Sequence, residues 1–438
     1  MLSGAFPPAG PVHLANATVP SALTAGMLNH LGEGLGRADI VIDQGEIASI
    51  SPPGIAAPEG ATRVDLDGGL VLPGLVDLHT HLDKGHIWPR RPNPDGTFAS
   101  ALEAAQADRV AHWSADDLRR RMSFALQCAH AHGTVAMRTH LDTIPPHDTI
   151  TWDVFTELRR DWADRVDLQG SALFGIERLA DPAYLPRIAD RVAACGGTLG
   201  VVSYMVDGLD GYLRQMFRAA AERGLDLDFH VDETGDPGAD SLRRIAETAL
   251  ETGFSGRIVC GHCCSLARQD ADTVDRTLDL VARAGIGVVS LPMCNMFLMD
   301  REPGRTPRWR GVTLLHEMRA RGIPVAVASD NTRDPFYAYG DLDMIEVFTQ
   351  AMRILHLDMP VGDWVRLVTT TPADLMGDPT RGRIDVGLPA DLVLLRARDW
   401  NELGARPSGP RTVLRAGRAI ARALPDYRDL DDLMEHDR

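Results

Sequence analysis

The sequence predicts an α/β fold, a (β/α)8 TIM barrel with a small β-sandwich formed by the N- and C-terminal segments. The chain has 438 residues, too many for one ordinary core but enough for a barrel of about 250 residues and a satellite domain. Short apolar runs alternate with longer helical patterns through its middle, the rhythm of parallel strands joined by crossover helices. Strand-and-turn patterns without helices occur at both ends. The expected division is 1–70 and 379–438 for the two parts of the sandwich and 71–378 for the barrel.

In chain order, Ala38–Ile50 alternates around Asp43-Gln44-Gly45 and predicts a hairpin. Gly32-Glu-Gly-Leu-Gly36 precedes a strand instead of following one, which argues against a dinucleotide-binding loop. Eight apolar runs then predict the barrel strands: Val71–His81, Thr134–Asp142, Leu168–Gly175, Leu199–Met205, Leu225–Asp232, Arg257–Cys263, Gly287–Cys294 and Pro324–Asp330. Eight is the number that closes such a barrel. Ala115–Cys128 is one of the helices between them, with acidic residues in its first turn where the helix dipole favours them. Gly387–Leu395 and Arg411–Ile420 return to short strands and pair with the N-terminal segment.

A net charge of −16 with no basic stripe makes nucleic acid and anionic membrane surfaces poor partners. No stretch of about 20 apolar residues predicts a membrane span, and the N-terminus lacks the basic and apolar regions of a secretory signal. Six cysteines, including Cys260-Gly-His-Cys263 without a second pair, read as reduced thiols in a cytoplasmic protein and not as a disulfide framework. Cys260, Cys263 and Cys264 are assigned to core packing, since neighbouring strand residues face opposite sides.

The chemistry lies at the predicted strand ends. His79 and His81 sit two residues apart at the end of the first run, so on a strand they face one side about 7 Å apart and can close on one metal ion. His230 and Glu233 end the fifth run, His262 the sixth and Asp330 the eighth. In a parallel barrel all these ends share one face, where active sites of this architecture are built. Any one of them alone reads as a packed histidine or a helix cap; together, in this order, they read as a site. Imidazole and carboxylate donors suit Zn2+ or Fe2+, and His79, His81, His230 and Asp330 leave a position open for water. A divalent ion there lowers the pKa of water from about 15.7 toward 7, and Asp330 can accept its proton.

Glu233, just past the strand, is placed to protonate a ring nitrogen and pass protons to a leaving amine. His262 either polarises the attacking water or ligates the metal. The single lysine, Lys84, is expected as an exposed residue of the first strand-to-helix loop, with substrate contact as its alternative. The fourth run, Leu199–Met205, has no lysine, which excludes a lysine-bridged pair of metals. Arg138, His140 and Asp142 are expected at the pocket rim as hydrogen-bonding support.

The segments His79-Thr-His-Leu-Asp83, Met137–Asp142, Phe229-His-Val-Asp-Glu233, Gly261-His262, Leu291–Asn295, Ser329–Phe336 and Gly340–Met344 run through nearly the whole barrel. On these segments the chain resembles the amidohydrolase superfamily and, within it, the cytosine deaminases. That resemblance implies one Zn2+ or Fe2+ held by His79, His81, His230 and Asp330, with Glu233 as proton shuttle and His262 assisting the attacking water. It also implies hydrolysis of a C–N bond in a small heterocycle with release of ammonia.

The glutamine by which cytosine deaminases read the pyrimidine is replaced by Gly175 or Ile176. Paired acids on the last strand become Asp330-Asn331, and a tryptophan becomes Phe336. The resemblance implies cytosine as substrate, these departures count against it, and the candidates they leave are 5-methylcytosine, creatinine-like cyclic guanidines and aminotriazines. The expected partner is thus a small heterocyclic molecule, with homo-oligomerisation left open. Two alternatives stand beside this reading: cleavage of an amide or N-alkylamino C–N bond, and a metal-binding barrel without turnover.

Overall fold

The computed structural model describes Phe6 and residues 10–434. Two compact units divide the chain. One is drawn from the stretch ending at Asp77, from Leu126–Ala136 and from Leu342–Pro425; the other comprises Leu78–Ala125, Met137–Asp341 and the stretch beginning at Asp426.

The first unit opens with β1 (Val12–Pro20), β2 (Asn29–Gly32), β3 (Leu35–Asp43), β4 (Glu46–Ser51) and β5 (Thr62–Asp65). They form one sheet in the order β2-β3-β1-β5, with β4 also paired to β3. Asp43 pairs with Glu46 across a two-residue turn in which Gln44 and Gly45 both have positive φ, 50° and 88°. Such a turn matches the twist of the flanking strands, so the hairpin read from the alternation is present. β6 (Val71–Pro73) follows. The predicted first barrel strand breaks after it, at Gly74, where a Cβ would lie 2.3 Å from Val135 Cγ1. The run therefore serves two sheets.

Parallel strands fill the second unit and its borders: β7 (Leu75–Thr80), β8 (Thr134–Asp142), β9 (Asp167–Leu173), β10 (Leu199–Ser203), β11 (Leu227–Val231), β12 (Ile258–His262), β13 (Gly287–Ser290) and β14 (Val325–Val327). β7-β8-β9 are neighbours in one sheet and β10 through β14 in another. Parallel bridges Ser171↔Thr198 and Gly175↔Val202 link β9 and the residues after it to β10, and Thr80↔Asp330 links the end of β7 to the segment after β14. Each strand is thus followed edge to edge by the next.

Between these strands lie α1 (Phe98–His112), α2 (Ala115–His132), α3 (Asp148–Asp161), α4 (Tyr184–Ala194), α5 (Leu209–Arg223), α6 (Ser241–Thr252), α7 (Ala271–Arg283), α8 (Pro292–Leu298) and α9 (Leu315–Ala320). α7 shows why the sequence forms them. Asp270 caps it by accepting from Thr273 N at 3.0 Å, and Val274, Thr277, Leu278 and Val281 bury one face at helical spacing. α8 corrects an expectation: of the run Gly287–Cys294 only Gly287–Ser290 is strand, and Pro292 starts a helix that carries Cys294 and Asn295.

The chain returns to the first unit in β15 (Leu392–Leu395), β16 (Arg411–Arg415) and β17 (Arg418–Ala419), which form an antiparallel sheet with β6 in the order β17-β16-β15-β6. Leu14, Ile40 and Val64 of the first sheet share one buried cluster with Val71, Leu392 and Leu414 of this one. Among the described residues no helix is long and apolar enough to cross a membrane.

Candidate active site

Parallel register carries the predicted side chains to one end of the sheets. His79 lies near the end of β7, with His81 just beyond it; His230 lies in β11, His262 closes β12, and Asp330 follows β14. All five are buried. His81 Nε2 is 3.2 Å from His230 Nε2 and 3.2 Å from Asp330 Oδ1, and His79 Nε2 is 3.6 Å from the same oxygen. One ligand atom from each of His79, His81 and Asp330 lies within 4.8 Å of the others, and the same holds for His79, His230 and His262. The residues predicted at four separate strand ends are brought together.

Local backbone conformation supports this convergence. His262 and Asp330 have φ of 67° and 62°, the left-handed region, at a cost of about 1–3 kcal/mol each. Gly261 makes room beside them. A Cβ there would stand 3.0 Å from His79 Cε1 and 3.2 Å from its Nδ1.

The donor set fits a divalent ion. Burial, reinforced by neighbouring imidazoles and by Lys84, Arg138 or both, pushes the pKa of His79, His81, His140 and His230 well below the ordinary value, so these rings are neutral and ligand-competent. Neither ring nitrogen of His79 has a hydrogen-bond partner, nor do His230 Nδ1 and His262 Nε2. Such buried atoms cost about 1–3 kcal/mol apiece when unsatisfied, and a cation among them offsets that cost at the nitrogens that ligate it. Below the cluster His140 lies 4.0 Å from His79 between ring centroids, and Arg138 Nη1 donates to Asp228 Oδ2 at 2.8 Å. Arg138 and His140 are therefore deep supports beneath the imidazoles and not rim residues as expected.

Glu233 and His262 meet through a residue the sequence reading left without a role. Asn295 Nδ2 donates to Glu233 Oε1 at 3.0 Å and lies 3.0 Å from His262 Nδ1. Glu233 Oε1 and His262 Nδ1 are 3.3 Å apart. Burial first, and the charge of Asp330 second, raise the Glu233 pKa well above the usual carboxylate range. Burial lowers that of His262 to about 3. The signal for Asn295 was Pro292, which converts a strand end into a helix start.

A cavity of about 730 Å3 opens above these groups. Gly175, Asn331 and Phe336, the residues expected to contact substrate, line it, but Ile176 is fully buried and is not part of the wall; Glu177 and Arg178 are. The Glu177 carboxylate lies against Gly175, where a Cβ would come 2.2 Å from Oε2, and accepts from Tyr204 OH at 2.5 Å. Asn331 Nδ2 is already committed to Asp334 Oδ2 at 2.7 Å. Lys84 corrects another expectation. It is buried in the cavity wall, donating to Asp142 Oδ1 at 2.7 Å and standing 3.3 Å from His81 Nδ1, because Asp142 and Asp83 compensate its charge.

Comparison with known proteins places these features among relatives. The sequence profile described as "Amidohydrolase family" matches residues 202–421. A pterin deaminase of Rhizobium rhizogenes is 54% identical over 421 residues, covering 96% of each chain. An N-isopropylammelide isopropyl amidohydrolase of a Pseudomonas species is 26% identical, covering 83% of this chain and 89% of its own. The crystal structure of 5-methylcytosine deaminase from Klebsiella pneumoniae, liganded with 5-fluorocytosine, superposes with a TM-score of 0.82 at 22% identity, covering 95% of this chain and 98% of that one.

Proposed function

The chain belongs to the amidohydrolase family and is a hydrolase of C–N bonds in cyclic amidines, and on that premise we propose that it deaminates a pterin, a bicyclic 2-amino-4-oxo ring, releasing ammonia. The fold that goes with this reading is a (β/α)8 barrel over 71–378 and a small sandwich made from 1–70 and 379–438, which the parallel order of β7 to β14 and the two antiparallel sheets support. The observation that carries it is the Asn295 amide joining Glu233 to His262 beside the four metal-competent groups. A protein that only bound a heterocycle would have no use for a proton-bearing carboxyl held at that spot.

One Zn2+ or Fe2+, held by His79, His81, His230 and Asp330, would supply Lewis-acid activation of the attacking water. The remaining steps belong to the side chains. Because Asn295 donates to Oε1, the Glu233 proton sits on Oε2 and is free to pass to a ring nitrogen of the substrate. Asn295 also donates to His262 Nδ1, which leaves the proton of that neutral imidazole on Nε2, a nitrogen with no other partner that can orient the attacking water. Asp330 accepts a proton of the attacking water. Water oxygen bonds to the amino-bearing carbon, the C–N bond breaks, and ammonia leaves with a proton returned through Glu233.

Pterin is favoured over cytosine on two grounds. The relative of that name is 54% identical along nearly the whole chain. The cavity of about 730 Å3 sits within the range of roughly 300–1,000 Å3 for sites that enclose drug-sized ligands, larger than one six-membered ring needs. Gly175, Asn331 and Phe336 are the residues assigned to substrate contact, and Glu177 and Arg178 replace Ile176 in that role. The test is ammonia release by metal-loaded protein from pterin, cytosine, 5-methylcytosine, creatinine and aminotriazines, with alkylamine release from N-isopropylammelide measured in parallel. Pterin turnover above all others is expected; alkylamine as the main product would replace the proposal with the N-alkylamino reading.

A further inference from the structure

Cys294 in α8, Glu233 after β11 and Asp330 after β14 come from three separate elements, and one ligand atom of each lies within 4.8 Å of the other two. Cys294 and Asp330 are each 1% exposed. Glu233 and Asp330 face the cavity, and Cys294 lies behind them, with Sγ 3.7 Å from Asn331 Oδ1 and 3.7 Å from the Phe336 carbonyl oxygen. Asn295, fully buried and next in sequence to Cys294, binds Glu233 through its amide nitrogen and leaves Oδ1 without a hydrogen-bond partner beside the same carboxyl.

Two carboxyl groups and a sulfur, reached through a cavity and bordered by an unsatisfied carbonyl, are a mixed donor set for a cation. We propose that Cys294, Glu233 and Asp330 form a second, inhibitory site for a thiophilic divalent cation such as Zn2+ or Cd2+, with Asp330 shared between it and the imidazole cluster. The sulfur sets the selectivity. Thiolate donors favour zinc and cadmium, whereas Mg2+, Ca2+ and Mn2+ prefer oxygen alone. A coordinating thiol is deprotonated outright by the cation, so binding forms a sulfur–metal bond and releases the Cys294 proton to solvent. Glu233 likewise gives up its proton and is tied to the cation. A carboxylate so held cannot carry a proton to substrate, and turnover stops.

The binding stands on geometry alone, while the inhibition rests on the role proposed above for Glu233. The test therefore reads both. Protein loaded with one equivalent of Zn2+ is titrated with Cd2+, following stoichiometry by equilibrium dialysis, cadmium–thiolate charge transfer in the near ultraviolet, and turnover. The imidazole cluster contains no sulfur, and five other cysteines are free, so the part of the charge-transfer band that is lost with Cys294 reports the second site. Expected are a total of two bound equivalents, a band that grows with the second, and turnover falling in step. Cys294→Ser and Cys294→Ala are expected to lose the band and to need at least about tenfold more Cd2+ to halve their own starting rates. A wild-type protein that shows no band, or variants that keep the band and the second equivalent at wild-type affinity, would overturn the proposal. Absence of deaminase activity with the band and stoichiometry intact would instead overturn the reading of the reaction.

Discussion

Glu233 Oε1 and His262 Nδ1 lie 3.3 Å apart, with the amide nitrogen of Asn295 at 3.0 Å from each. In the mechanism proposed above, this single side chain sets where the carboxyl keeps its proton and which nitrogen of the imidazole carries one.

Replacing Asn295 tests that relationship. Asn295→Ala removes both hydrogen bonds while leaving His79, His81, His230 and Asp330 unchanged. Loss of orientation by about 1 Å costs on the order of 100-fold in rate, so kcat should fall by about that factor while metal content and KM stay close to wild type. A kcat within about twofold of wild type would show that Glu233 and His262 need no such support.

Glu233 should set the alkaline limit of activity. Burial and the neighbouring Asp330 raise its pKa, so the protonated, working form persists to higher pH than for an ordinary carboxyl. Rate is then maintained below that pKa and lost as pH rises through it. Glu233→Gln should lower kcat by about 10²–10⁴ with metal still bound and should abolish this alkaline limb. A variant that retains the limb would assign it to another group.

Gly261→Ala places a Cβ 3.0 Å from His79 Cε1, where the ring cannot retreat without leaving the cluster. Overpacking of this kind costs about 1–3 kcal/mol, and a displaced ligand should weaken metal binding by roughly 10–100-fold. Denaturant unfolding and equilibrium dialysis measure the two effects. Unchanged metal affinity would place His79 outside the ligand set.

Lys84→Met leaves Asp142 and Asp83 buried without their shared ammonium. Breaking a buried ion pair from one side costs about 3–5 kcal/mol, and because Arg109 Nη1 still donates to Asp142 Oδ2 at 2.6 Å the loss should fall near the lower end. Urea unfolding at neutral pH gives the value. A midpoint equal to wild type would mean that Arg109 alone suffices.

Much of this site was legible because a parallel strand delivers every polar end residue to one side. That rule placed His79, His81, His230, His262 and Asp330 together from order alone. It failed where the period changed. The apolar run Gly287–Cys294 reads equally well as buried strand or buried helix, so Cys294 is expected on a strand where a helix carries it, and Asn295, one residue past the run, has no expected role. After β9 the chain enters a tight helical turn over Ile176–Ala180, which rotates Ile176 into the core and brings Glu177 and Arg178 to the wall. Lys84 was misjudged for another reason: the carboxylate that makes its burial tolerable is 58 residues away in sequence.

The solitary lysine is enclosed behind an ion pair. A side-chain amine reagent consequently finds one target among these 438 residues, and reacts with it only when that ion pair loosens. Acylation kinetics followed by mass spectrometry would then serve as a stopwatch for breathing of the catalytic chamber, and a bound ring should slow the clock.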